Sequence, residues 1–399
     1  MLLKSLILPI IGLAVLSTAH PAEHEKRDEP TRLQRREYHS RLLERYGDCN
    51  LKLEKSGVNK RAAARRQNIV DGHRRQFQQT LFDPTRPGPY PDSKISTPHD
   101  DVDLPDPLRK SHLVTDTSIT LNTPESVLFA ANRTCVLNPE GKVGPFYVRG
   151  EHIRSDITDG QLGIPMILDA QLIDVETCEP LRGAWWDIWT CNSTGVYSGV
   201  SQHGNGDESD TSNLNATFLR GLQETDDDGV AKFRTVFPGH YNHRTTHLHV
   251  VTHIGDVTRL PNNTVVGGTV AHIGQLFWDQ DLIDEVEATY PYTTNLTPIT
   301  RNVDDDLFLE EVVATTSDPV INYVKLGDDI QDGILAWISV AVNRSASFDP
   351  SYSYKLTRGE GSLNPAVIAR FEYSPTFLYF RGLAELLKNA LPSTHCEKR

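Results

Sequence analysis

Several common catalytic signatures are missing from this chain. It contains no His-Glu-x-x-His, the two-histidine helix of zinc proteases. It also lacks Gly-x-Ser-x-Gly, the strand-to-helix elbow that presents a hydrolase nucleophile. A zinc hydrolase would in addition need a water-polarising carboxylate beside its ligands. A ferrous facial triad needs two histidines and a carboxylate. The only nominal His-x-Asp, His99-Asp100-Asp101, lies in a Pro/Asp-rich stretch. Past the first residues no apolar run approaches the ~18 needed to span a bilayer, so no membrane span is expected. Positive charge is in deficit, with a net charge of −13, which argues against nucleic acid as a partner. No repeat of fixed period is present.

What is there begins with a short apolar run, Leu6 to Leu16, followed by the small residues Ser17-Thr18-Ala19. Residues 1–19 read as a secretory signal peptide and imply a secreted, extracellular protein. Six Asn-x-Ser/Thr tripeptides, at Asn132, Asn192, Asn215, Asn262, Asn295 and Asn343, are then candidate glycosylation sites. The pairs Lys26-Arg27 and Arg35-Arg36 are candidate processing sites. In an oxidising compartment the five cysteines imply up to two disulfides. Cys178 and Cys191 flank a turn and a strand from Ala184 to Thr190, which would separate them by roughly 20 Å along the strand. A disulfide needs Cα atoms within about 7 Å. Cys49, Cys135, Cys178 and Cys191 are therefore expected to pair over longer range, leaving Cys396.

Residues 20–82 form a basic segment of helical composition, which Gly47 and Gly57 divide into pieces. It is suited to packing on the main domain or to a homodimer contact. Residues 83–113 are a Pro/Asp-rich linker. From residue 114 to 365 the pattern is β. Met166, Leu168, Ala170 and Leu172 alternate with Ile167, Asp169, Gln171 and Ile173. Trp186 and Ile188 alternate with Trp185, Asp187 and Trp189. The expected class is mainly β: an antiparallel β-sandwich with an N-terminal helical segment and a short helical tail over 366–399. The acidic runs Asp226-Asp227-Asp228 and Asp304-Asp305-Asp306 read as solvated turns.

The densest chemistry lies in Phe237-Pro238-Gly239-His240-Tyr241-Asn242-His243-Arg244-Thr245-Thr246-His247-Leu248-His249-Val250. On a strand, His247 and His249 share one face and can close on one ion. Tyr241 follows a Pro-Gly turn, and Tyr197 follows the turn at Gly195. Two phenols beside two imidazoles suit an oxidised iron. His203, His240, His243, His253 and His272 crowd the same region and read as polar rim residues.

The chain resembles the intradiol ring-cleavage dioxygenases, in particular their secreted fungal branch. The similarity is carried by Gly144-Pro145-Phe146-Tyr147-Val148, by Asp187 to Val200, by Leu219-Arg220-Gly221, by Phe237 to Val250 and by Gly274-Gln275-Leu276-Phe277. It implies one non-haem Fe(III) per chain, held by Tyr197, Tyr241, His247 and His249. It also implies that Tyr241 is a displaceable ligand and proton acceptor, that Arg244 stabilises negative charge, that Gln275 lies in the pocket beyond an insertion at Asp256 to Ala271, and that Tyr147 lines it. Thr190 departs from a histidine common in the family at a non-ligand position. The implied reaction cleaves a catechol-type aromatic between its two hydroxyl-bearing carbons with O2, giving a cis,cis-muconate-type diacid. The competing reading is a secreted iron-bearing β-sandwich that binds aromatic or polymeric ligands with little turnover.

Overall fold

The computed structural model describes residues 51–80, 105–114, 143–207, 209–315 and 318–350, together with 37, 40, 41, 44, 49, 134, 135, 354–357 and 360–363. The signal segment, both dibasic pairs, Asn132, Cys396, most of the linker and the 366–399 tail lie outside the described residues.

Two sheets face each other. The first has the order β1-β10-β3-β6, with β9 also on β10. Its strands are β1 (Thr134–Cys135), β3 (Pro165–Asp174), β6 (Val230–Val236), β9 (Asn322–Lys325) and β10 (Ile334–Val342). The second has the order β5-β4-β7-β8. Its strands are β4 (Trp185–Trp189), β5 (Arg220–Glu224), β7 (His247–Arg259) and β8 (Val265–Phe277). A small third sheet joins β2 (Val148–Arg149), β11 (Tyr354–Thr357) and β12 (Glu360–Leu363). The site-bearing sheet is antiparallel throughout. The facing sheet is mixed, because β10 runs parallel to both β1 and β3. The mainly β, antiparallel-rich sandwich is as expected, and these parallel pairs are an addition to it. β10 forms a hairpin with β9, which is reached from β8 by a long connection, and nothing local marks which way that hairpin runs beside β3.

The period-two patterns place the core. Met166, Leu168, Ala170 and Leu172 meet Trp186, Ile188, Leu248 and Val250 between the sheets. The alternate residues of each strand face outward, and both outer faces are covered. Over the first sheet lies α1 (Val58–Thr80), with Ala63 and Val70 against Leu335 and Trp337. Asp169, on that outer face, accepts from Arg65 Nε at 2.6 Å and Arg66 Nε at 3.0 Å. Gly57, at φ 72°, ends the preceding helical residues 51–55. The segment is tied down by a Cys49–Cys178 disulfide across 129 residues. Cys178 and Cys191 are indeed not joined, and the pairing is long-range. Cys191 does not pair, against expectation: it is a buried free thiol whose Sγ contacts the carbonyl of Gly239 at 3.3 Å. Just after β4 it packs in the apolar layer around Tyr197, which contains no second cysteine among the described residues.

Three helices enter the frame: α2 (Asp106–Arg109), α3 (Gln280–Glu287) and α4 (Asp306–Thr315). After α2, His112 sits between two carboxylates. Its Nδ1 is 2.6 Å from Asp279, its Nε2 is 3.0 Å from Asp318, and Lys110 also bonds Asp318 at 2.9 Å. Burial alone would lower the imidazole, but its bonds to Asp279 and Asp318 outweigh that and raise it above 6.5. The stabilisation from this clamp is therefore fully present below about pH 6.5 and is lost as pH rises through the elevated folded value. Urea midpoints should fall between pH 6 and pH 9 in the native protein, and the fall should shrink in His112→Gln. Equal falls in both would remove the clamp as the cause.

Among the described residues no helix is long and apolar enough to cross a membrane.

Candidate active site

The site lies on the outer face of the second sheet. Leu248 and Val250 of β7 point into the core, so His247 and His249 point away from it. The strand register puts Trp189 opposite His249 on one side and Gln275 opposite it on the other. Trp189 stacks on the His249 ring at 4.8 Å with planes 4° apart, which sets the ring's orientation.

Tyr197 arrives from the turn after β4. Asn192 Oδ1 accepts from the amides of Thr194 and Val196 at 3.1 and 3.0 Å, closing that turn. Gly195 has φ 81°, and a Cβ there would strike the carbonyl oxygen of His240, so the Tyr197 turn and the Tyr241 turn pack backbone to backbone. Asn205 then fixes Tyr197 itself, accepting from its amide at 2.7 Å and donating to its carbonyl at 2.8 Å. Beneath the next turn, buried His240 bonds Glu287 at 2.6 Å and the carbonyl of Thr297 at 2.8 Å. His240 and His272 are thus buried, which corrects the expectation of polar rim residues. His253, beside a register shift, faces Asp187 at 3.6 Å.

The four expected donors come together. His247 Nε2 is 3.0 Å from His249 Nε2 and 3.3 Å from the Tyr241 hydroxyl. The rings of Tyr197 and Tyr241 are 5.5 Å apart, and Tyr197 is 6.0 Å from His249. His247 Nδ1 lies 2.6 Å from the Thr245 carbonyl, which can only accept, so the proton sits there and the Nε2 lone pair faces the cluster. The Tyr197 hydroxyl is fully buried and has no hydrogen-bond partner among the described residues. Burial raises both phenols, Tyr241 to about 12 against the opposing pull of Arg244, and Tyr197 well above the usual tyrosine value. A buried phenol with no partner among the described residues, its ring 6.0 Å from that of His249, together with converging imidazole nitrogens is a donor set that fits a cation. Among the described residues no three His, Cys, Asp or Glu side chains gather as a metal cluster. An ion here would therefore draw on the phenols, and hard phenolate oxygens favour an oxidised metal.

Arg244 borders the cluster. Its Nη1 is 3.4 Å from the Tyr241 hydroxyl and its Nη2 donates to Gln275 Oε1 at 2.6 Å. Its Nε donates to Asp305 at 2.7 Å. Asp305 is fully buried, which corrects the reading of Asp304-Asp305-Asp306 as a solvated turn. The signal was absent because its partner lies 61 residues away. The segment Asp256 to Ala271, read as an insertion, lengthens the β7–β8 hairpin, and Gln275 lies beyond it.

Tyr147 is placed differently from a lining residue. Its ring packs at a tilt against Trp189 at 4.7 Å, and Trp189 separates it from His249. Its hydroxyl donates to Asp187 at 3.1 Å. Phe146 covers the cluster instead, 4.8 Å from Tyr197 and 5.6 Å from Tyr241. Gly144, at φ 74°, passes so near His249 that a Cβ would sit 3.0 Å from its ring. This wall is pinned by buried Arg220, which donates to the Phe146 carbonyl at 2.6 Å, to Glu151 at 3.1 Å and to the Ser198 carbonyl at 2.9 Å.

Glu151 and Asp187 are buried side by side. Burial pushes Asp187 up to about 6 despite its bonds from Glu151 and Tyr147, and burial with the Asp187 charge raises Glu151 well above its usual range. With folded values raised, the pair's contribution is fully present below the ordinary carboxylate range and is lost as pH rises through about 6. Asp187→Asn keeps an acceptor for Tyr147 and removes that charge. Its melting temperature should exceed the native one by on the order of 5 °C at pH 7.5, with no gain at pH 4. Parallel profiles would show that the pair does not titrate in this window.

Residues 143–263 match the family model described as Dioxygenase. That segment contains Tyr197, Tyr241, Arg244, His247 and His249. Three of the solved structures with detectable likeness to the chain are as follows. An intradiol ring-cleavage dioxygenase from Tetranychus urticae is 29% identical, with 54% of this chain and 98% of that one aligned and a TM-score of 0.45. A dioxygenase domain from a carbohydrate-binding fusion protein of a cellulolytic Streptomyces is 22% identical, covering 51% and 97%, with a TM-score of 0.33. A catechol 1,2-dioxygenase from an Acinetobacter species is 19% identical, covering 57% and 71%, with a TM-score of 0.35. Among curated proteins no relative matches the chain.

Proposed function

We propose that this chain is an intradiol ring-cleavage dioxygenase that binds one non-haem Fe(III) through Tyr197, Tyr241, His247 and His249 and cleaves catechol-type aromatics between their hydroxyl-bearing carbons. The observation that supports it best is the convergence of two imidazole Nε2 atoms, 3.0 Å apart, with one phenol 3.3 Å away and a second buried phenol lacking any protein partner among the described residues. A bound ferric ion would supply the Lewis acidity that lets a catechol bind as its dianion and react with O2.

The remaining chemistry belongs to the chain. Tyr241 takes a substrate proton at its phenolic oxygen, and Arg244 Nη1, 3.4 Å from that oxygen, holds the phenol in place afterwards. The guanidinium, buried and therefore poorly screened, stabilises negative charge that develops on the ring. Gln275 Oε1 holds the other arm of the fork at 2.6 Å. Phe146 and Trp189 exclude water around the ligand rings. Tyr147 acts behind Trp189, as a support for the wall.

The protein is read as secreted, with extracellular catechols such as plant-derived phenolics as substrates. On that reading Asn215 and Asn262, both exposed, are the preferred glycan acceptors. Asn192 and Asn295 instead spend their amides on Gln161 and on the His240 carbonyl, inside the turns that carry the ligands.

The test is the metal content and visible spectrum of the purified protein. About one iron per chain and a reddish tyrosinate-to-iron band that shifts when catechol is added without oxygen would support the assignment. A colourless protein with one zinc per chain would overturn it.

A further inference from the structure

Asp305 lies outside the 143–263 segment that matches the family, yet its carboxylate meets three parts of the site. Oδ2 accepts from Arg244 Nε at 2.7 Å and from the Thr245 amide at 2.8 Å. Oδ1 accepts from the Phe308 amide at 2.8 Å, the third residue of α4. The turn before it is attached as well. Asn302 Oδ1 accepts from Thr245 Oγ1 at 2.6 Å and Asn302 Nδ2 donates to the Trp278 carbonyl at 2.9 Å. Residues 302–305 therefore clip the Arg244-Thr245 backbone and side chain to the end of β8.

A guanidinium presents its donors in a fixed plane. Holding Nε on one carboxylate leaves one orientation in which Nη1 faces Tyr241 and Nη2 faces Gln275, the arrangement observed. The stem is otherwise long enough to place the charge elsewhere, and arginine carries about 2 kcal/mol of rotamer entropy. We propose that Asp305 is a positioning residue for ring cleavage, fixing the Arg244 fork toward Tyr241 and Gln275. The proposal rests on the charge-stabilising role given to Arg244 above.

The carboxylate also caps α4, so loss of activity on its removal could follow from a loosened helix. Asp305→Ser separates the two roles. Serine remains a good N-cap for the Phe308 amide, but it is too short to reach Arg244 Nε. For D305S we expect unchanged iron content, a melting temperature within a few degrees of native, a KM for catechol within about two-fold, and kcat lower by about 10- to 100-fold, the cost of a misplaced catalytic group. Adding D305S to R244A should cost less than two-fold more, because the carboxylate acts only through the arginine. If D305S does not accumulate, D305T, which also caps the Phe308 amide and is also too short to reach Arg244 Nε, gives the same comparison.

Native kcat in D305S together with an impaired R244A overturns the positioning role alone. So do effects of the two changes that multiply independently. Native turnover in R244A overturns the role of Arg244 and this inference with it.

Discussion

Tyr197→Phe is expected to yield a folded protein that has lost its colour and holds less than about a tenth of an iron per chain. The change removes one oxygen. The ring contacts remain, with Phe146 at 4.8 Å and the Arg220 guanidinium at 5.9 Å. The lost hydroxyl has no hydrogen-bond partner in the protein among the described residues, so the iron-free fold gives up nothing by losing it. Leaving a buried polar group unsatisfied costs about 1–3 kcal/mol. The melting temperature of the iron-free variant should therefore equal or exceed that of the iron-free native protein. That combination of lost metal with preserved or improved apo stability is the signature of a ligand as opposed to a core residue. Iron near one equivalent in the purified variant would remove Tyr197 from the donor set.

Arg244→Ala should behave in the opposite way, keeping iron and colour while kcat falls by about 10²- to 10³-fold. That range corresponds to loss of one preorganised donor at a site where charge develops, about 2.7–4 kcal/mol. The guanidinium is 2% exposed, and burial would lower its pKa, but Tyr241 and Asp305 outweigh that and hold it above the usual arginine value. It stays charged throughout any working pH range. Its removal strands the Asp305 carboxylate, so stability should drop as well, by about 3–5 kcal/mol for an uncompensated buried charge. R244A with D305S should recover part of that stability without recovering rate. Iron content with single-turnover rates at saturating catechol checks the prediction, and unchanged turnover would exclude Arg244 from the chemistry.

How much of this was legible beforehand follows the range of the interactions. The period-two alternation of Met166 to Leu172 and of Trp186 with Ile188 gave the buried faces correctly, because a strand's side-chain direction is a local property. The face shared by His247 and His249, and the turn that presents Tyr197, are local for the same reason. The parallel course of β10 beside β3 is not local, and neither is the pairing of Cys49 with Cys178 across 129 residues. Asp305 is the clearest loss. Three aspartates in a row resemble a solvated turn in any window, and only the fold brings the middle one against Arg244. Tyr147 shows the converse: a motif places it next to the site, while the packing of Trp189 between it and His249 turns its hydroxyl to Asp187.

The central claim is that these residues direct both atoms of O2 into a ring opened between the two hydroxyl-bearing carbons. Turnover of catechol under ¹⁸O2 followed by mass spectrometry of the product measures that directly. The expected product is a cis,cis-muconate-type diacid carrying one labelled atom in each carboxylate. A product with a single carboxylate and an aldehyde, or an unlabelled quinone, would contradict it.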